Sequence, residues 1–502
     1  MNFIQLTAHF IQFEISSDGT IPSLLYFCRI IKMPIVKKTD TQFMKIYIDY
    51  SKADICKIDY SAKEIIPEII DFPRLSPQQE KDLINCVRRN VDRVFRQVLK
   101  RKKPDIIRIY VSGKDFPSSG QFISMFSNER VFHIILYSKM ILDLQKYEYP
   151  LNETIIHELI HAADMLTIKE NNSDKKIFAE PSPIYAFNFL KWPLWVIDHY
   201  RVEGVAELGC WLLWRKKAIK PKSRVDYRLL RYLAQKYSHF DIDGDAKRFA
   251  QILEEVMDAE KTLPSKRLLE IKSTSYSYGC AIMLRVLRNL RWISPEEERR
   301  IFTFIRTNGK LMSEMAGELS LFPEKEFKLD EEEISRVLNL CLSVDLPLFL
   351  EGILISREDK PIVSLEKMLQ LFGDVQGYRQ DDRIALFANM MSSPKKTVAE
   401  FNKTMRLLVG RPKKEEALAS DIEFFHECFD WIDSGGLHDK IDRLYALHQE
   451  YIATGQKKLA RVANHALHYF FCRKKLISRD LPVFGFVDNM LVVDTALDLL
   501  DS

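Results

Sequence analysis

"NETIIHELIHAADM", residues 152–165, sets His157 and His161 four positions apart, with Glu158 beside the first of them. Residues four apart share one face of a helix, so the two imidazoles can be presented to a single ion. Glu158 lies about 100° further round the helix, close enough to hold an attacking water without taking a ligand position. A catalytic zinc takes three protein ligands and keeps a fourth position open. The third ligand must therefore come from another segment.

The best source is "DHYRVEGVAELGCW", residues 198–211. Glu203 offers a carboxylate oxygen, and Gly204 beside it lets the backbone approach another helix closely. Glu207, one turn on, is placed to accept a hydrogen bond from the free N–H of a ligand histidine and so fix its tautomer. Asp164, three residues after His161, is a second candidate for that supporting role. His199 shares the Glu203 face and is a rival third ligand.

The rest of the chain limits what such a site can belong to. At 502 residues it exceeds one hydrophobic core and predicts several domains. The 74 basic and 70 acidic side chains leave a net charge of +4, too small to imply a nucleic-acid partner. "RRNVDRVFRQVLKRKK" (88–103) places Arg89, Arg93, Arg96 and Lys100 along one helical face, read as a solvated surface. The opening residues have neither a basic start nor an uninterrupted apolar core, and no apolar run reaches the roughly 18 residues that span a bilayer. The eight cysteines form no CxxC pair, which predicts buried, reduced thiols in a cytoplasmic protein.

Period-two alternation predicts strands in "NFIQLTAHFIQFEI" and "FMKIYIDYS" of residues 1–75. "IIRIYVS" (106–112) and "VFHIILYS" (131–138) are two further strand candidates, with "QFISMF" (121–126) between them. Ser76, Pro77 and Gln79 are the N-cap, first-turn and capping-box residues of a helix that Pro104 closes. Pro150 and Asn152 introduce the HELIH helix, and another follows at about 194–217. From about 225 onward the periodicity is helical, with linkers predicted at 321–333 and 410–417.

"HELIH" followed by "VEGVAE" resembles the gluzincin metallopeptidases over roughly residues 76–300. The resemblance implies zinc ligands at His157, His161 and Glu203, Glu158 as general base, and a strand before the helix that lines the substrate cleft, a place "VFHIILYS" would take. "STSYSYGCAIMLRVL" (273–287) is similar to the tyrosine-x-x-glycine stretch of the M1-like members. Carried over, Tyr276 is the phenol that stabilises the oxyanion, with Tyr278 the alternative ring, and Gly279 allows close helix packing. The glycine-rich exopeptidase motif is absent, so the resemblance does not favour N-terminal trimming over internal cleavage.

The tail, 466–500, resembles the small YkvA-like domain of unknown function. Pro482, Gly485 and Asp488 match its pattern, while Lys475, Ser478-Arg479 and Asn489 depart from it. Trp211 and Trp214 read as core anchors, and the pair His465 and His468 lacks a third ligand nearby.

The sequence thus predicts an α+β fold: a strand-rich segment (1–75), a zincin-like metallopeptidase domain with a small mixed sheet (76–300), and all-helical regions (301–420 and 421–502). The expected activity is zinc-dependent hydrolysis of a peptide or protein, with Zn2+ as cofactor. The alternative is a catalytically silent zincin-fold scaffold that binds partners through its helical half.

Overall fold

A computed structural model of the chain describes residues 44–49, 75–112, 120–122, 130–137, 144–171, 184–213, 241–258, 265–315, 329–355, 361–369, 382–393, 396–428, 436–472, 476 and 487–501. It forms two compact units, residues 1–162 and 163–502. The coarse prediction of α+β holds: one small sheet in the first unit, helices throughout the second.

The first unit contains β1 (Lys45–Asp49), α1 (Pro77–Val91), β2 (Ile106–Ser112), β3 (Gly120–Phe122), β4 (Val131–Tyr137) and the front of α2 (Leu144–Asn171). Strand order is β1-β2-β4-β3. The first three are parallel, and β3 runs antiparallel to β4 with Phe122 opposite Ile134. β2 and β4 are flanked on both sides, which is why they read as nearly continuous apolar runs. Ile107, Ile109, Phe132, Ile134 and Leu136 are buried, and Phe132 meets Phe95 at 5.5 Å between centroids. "VFHIILYS" is therefore an interior strand. The edge beside it is the three-residue β3, too short to stand out by alternation. The strand predicted at the start of the chain lies outside the described residues.

Ser76 and Gln79 form the expected reciprocal capping box, with Pro77 at the first position of α1. The helix then widens into a π-helical turn, Asp92–Val98, and ends with Lys100 at φ +53°, before Pro104 is reached. The α-helical spacing that places Arg89, Arg93, Arg96 and Lys100 on one face stops applying at Asp92. α2 begins at Leu144, so Pro150 lies inside the helix and Asn152 is not its cap. The proline forfeits one N–H···O=C bond, and the long helix outweighs that local preference. Asn152 instead accepts bonds from Asn90 (2.7 Å) and the Cys86 thiol (3.3 Å), tying α2 to α1.

The second unit contains the rear of α2, α3 (Ile184–Leu213), α4 (Ile242–Asp258), α5 (Ser265–Asn289), α6 (Pro295–Met315), α7 (Glu331–Leu342), α8 (Leu346–Leu354), α9 (Asp382–Ser392), α10 (Val398–Val409), α11 (Glu415–Cys428), α12 (Leu437–Ala453), α13 (Lys457–Phe471) and α14 (Val487–Asp501). Two predicted linkers are shorter than expected. Asp330 and Glu333 cap each other, so the acids Glu331–Glu333 form the first turn of α7, where they complement the helix dipole. Residues 410–414 are held by Asn464, whose side chain bonds both the N–H and the C=O of Lys413. α7 and α8 meet at a bend of 97°, and among the described residues no single helix is long and apolar enough to cross a membrane.

In the tail, Asp488 is fully buried and accepts a 2.6 Å bond from the Tyr469 phenol. Lys475, Ser478, Arg479, Pro482 and Gly485 lie outside the described residues, as does Trp214.

Two buried histidines give the fold a pH signature. His133 bonds the Tyr110 hydroxyl at 2.9 Å, and burial, then Arg108, lower it to about 4. His465 is lowered to about 4 by burial, then by Arg461, His468 and Arg406. Unfolded histidine protonates near 6.5. Between about pH 6.5 and 4 the unfolded chain therefore binds more protons, and stability falls as pH falls. Urea midpoints should drop across that window, and less steeply in the double variant H133Q/H465Q. A parent profile no steeper than the variant's contradicts this.

Candidate metal centre

Within α2 the two predicted histidines point at one place. Their Nε2 atoms are 3.0 Å apart and the rings are near perpendicular. Two nitrogens sharing a tetrahedral ion at bonds of about 2 Å lie roughly 3.3 Å apart, so the pair fits a metal without rearrangement. One ligand atom each from His157, His161 and Glu203 lie within 4.8 Å of one another, the only such group of three or more among the described residues. The rival, His199, is buried with its Nδ1 3.9 Å from the Glu203 carboxylate, one turn back on α3. Glu203, not His199, belongs to the group.

Glu158 is buried beside the pair. Its Oε2 accepts a 2.6 Å hydrogen bond from the backbone N–H of Phe122, so the edge strand β3 holds it from outside the helix. No side-chain pattern signals a backbone donor, and sequence reasoning missed it.

Asp164 makes a two-pronged contact with Arg201: Nη1 to Oδ1 at 3.1 Å and Nη2 to Oδ2 at 3.2 Å. Arg201 is 2% exposed and also donates from Nε to Asp198 (3.0 Å) and from Nη1 to the Val344 carbonyl (3.3 Å). Burial opposes its charge, but Asp164 and Asp198 together raise its pKa above the ordinary arginine value. Sequence reasoning passed over Arg201, which stands among the charged residues Asp198, Glu203 and Glu207 of the same helix. Glu207 is buried and accepts a bond from Trp211 Nε1 at 3.2 Å, which also fixes Trp211 as a core anchor.

Gly204 and Gly279 are where α3 and α5 touch. A Cβ on Gly204 would sit 2.3 Å from the Gly279 carbonyl oxygen, and one on Gly279 would sit 2.5 Å from that of Tyr200. Both glycines do what their motifs implied, and the crossing falls next to Glu203. Tyr276 lies one turn before Gly279, within about 60° of the face that meets α3. Tyr278 lies under Arg248 of α4, 5.9 Å from guanidinium carbon to ring centroid.

No protein-family model, curated protein or solved structure matches the chain.

Proposed function

We propose that the chain is a zinc-dependent metallopeptidase with a zincin-like, gluzincin-type catalytic region. The reading rests on the convergence of His157, His161 and Glu203, with a buried carboxylate, Glu158, next to the first of them. Two imidazoles and one carboxylate form a donor set suited to catalytic zinc. When bound, zinc polarises a carbonyl and makes a water acidic enough to attack near neutral pH.

The chain's own residues supply the rest. Glu158 takes the proton of the attacking water and passes it to the leaving amine. Tyr276, about 60° round α5 from the line of contact with α3, donates to the developing oxyanion; Tyr278 is engaged by Arg248. An interaction of that kind contributes about 3 kcal/mol to barrier lowering. Asp164 and Glu207 have supporting roles: Asp164 ties α2 to α3 through Arg201, and Glu207 fixes Trp211 within α3. β3 is one of the two edges of the described sheet, the one that touches Glu158, and an extended peptide can add to it through main-chain hydrogen bonds. This favours peptide or protein substrates. Cys86, Cys210, Cys280, Cys341 and Cys472 are in the thiol form, not joined in disulfides, in keeping with action in the cytoplasm.

The test is a peptide mixture incubated with zinc-loaded protein and read by mass spectrometry. Cleavage should fall at least about 100-fold on chelation and return with zinc. Zinc held in full with every peptide intact would refute the peptidase and leave the zinc-binding scaffold.

A further inference from the structure

We infer that Arg201 is the positioning residue that sets the spacing between the two ligand-bearing helices; the inference rests on the metal-site reading above. Arg201 stands two residues before Glu203 on α3, and its partner Asp164 stands three residues after His161 on α2. The buried guanidinium thus joins the two helices within a turn of the ligands that each contributes.

Its contacts define a direction as well as a distance. Both oxygens of Asp164 are taken by the two terminal nitrogens, at 3.1 and 3.2 Å, and Nε is bound to Asp198, one turn back on α3. The planar fork of arginine fixes the angle at which the Asp164 carboxylate meets it, which a lysine point charge does not. Nη1 also reaches the Val344 carbonyl at the bend between α7 and α8. One side chain therefore sets α2, α3 and that bend against each other, and a slip at any of these contacts displaces Glu203 relative to the imidazoles.

Stability alone does not account for such an arrangement. A buried ion pair generally adds little over an apolar pair of similar volume, whereas removing one partner strands a charge. The paired substitution D164L/R201M removes the two-pronged pair together and leaves only Asp198, whose side chain is 15% exposed to water, without its arginine, so it tests positioning at little cost to folding. The conservative R201K keeps the cation but loses the fork.

The experiment compares the full-length parent, D164L/R201M and R201K for apo-protein thermal unfolding, zinc affinity against a chromophoric chelator, and the visible spectrum of bound Co2+. We expect D164L/R201M to unfold at about the parent temperature, bind zinc ten- to a hundredfold more weakly, and give an altered cobalt spectrum. R201K should fall between the two in affinity. Parent-like affinity and spectrum in a folded D164L/R201M would overturn the inference while leaving the metal site standing. If D164L/R201M does not fold, R201K decides alone: unchanged zinc affinity overturns the inference, and a loss supports it. A parent chain that takes up neither zinc nor cobalt overturns the metal site and the inference together.

Discussion

Replacing Glu158 with glutamine is expected to lower kcat for peptide hydrolysis by about 10²- to 10⁴-fold, with zinc still bound. The substitution is nearly isosteric. The glutamine carbonyl can still accept the Phe122 N–H that Glu158 accepts at 2.6 Å, so the buried position stays satisfied and the fold is kept. Only the ability to take a proton is lost. KM should change little, because the carboxylate acts on the water rather than on the bound peptide. Steady-state kinetics, thermal unfolding and zinc content measured on one preparation check each part. A variant that hydrolyses within threefold of the parent removes Glu158 from the chemistry.

The second large effect concerns the crossing of α3 and α5. Gly204→Ala would place a methyl 2.3 Å from the carbonyl oxygen of Gly279 and 2.5 Å from its carbonyl carbon. Both obstacles are backbone, so neither can rotate away and the helices must separate. The cost should reach or exceed about 3 kcal/mol, at the upper end for overpacking. Gly279→Ala should behave alike, since its Cβ would meet the Tyr200 carbonyl at 2.5 Å. Gly244→Ala is the internal control. Its Cβ would meet the Asp241 carboxylate at 2.4 Å, a side chain that can move, and alanine is the better helix former. Chemical denaturation should find Gly244→Ala within about 1 kcal/mol of the parent. Equal effects at Gly204 and Gly244 would contradict the close crossing.

Much of the site was legible because it is written in short-range spacing. Two histidines four apart define a helical face without reference to the rest of the chain, and the structure brings their nitrogens to 3.0 Å. Glu203 was legible through its neighbours, Gly204 reporting a close helix contact and Glu207 repeating an acid one turn on. β2 and β4 were found at nearly their full extents, since an interior parallel strand is a nearly continuous apolar run, interrupted here only by Arg108 and His133 before the last residues. What escaped depends on partners distant in the chain. Arg201 reads as one more surface cation until Asp164, 37 positions away, closes on it in the interior. The hold of Phe122 on Glu158 uses a backbone N–H, which no residue type announces. β3 has three residues, too few for any period. Pro150 misled for the opposite reason: a proline is a local signal, and the helix from Leu144 to Asn171 overrides it.

The most direct measurement is the coordination of zinc in the purified chain, by metal analysis and X-ray absorption at the zinc edge, for the parent and for H161A and E203A. The parent should hold about one zinc, with two imidazole nitrogens and a carboxylate oxygen at about 2.0–2.2 Å. Each alanine variant should lose one donor of the corresponding type and bind at least about tenfold more weakly. A parent that binds no zinc, or variants with the parent's affinity and spectrum, would contradict a metal centre built from these three residues.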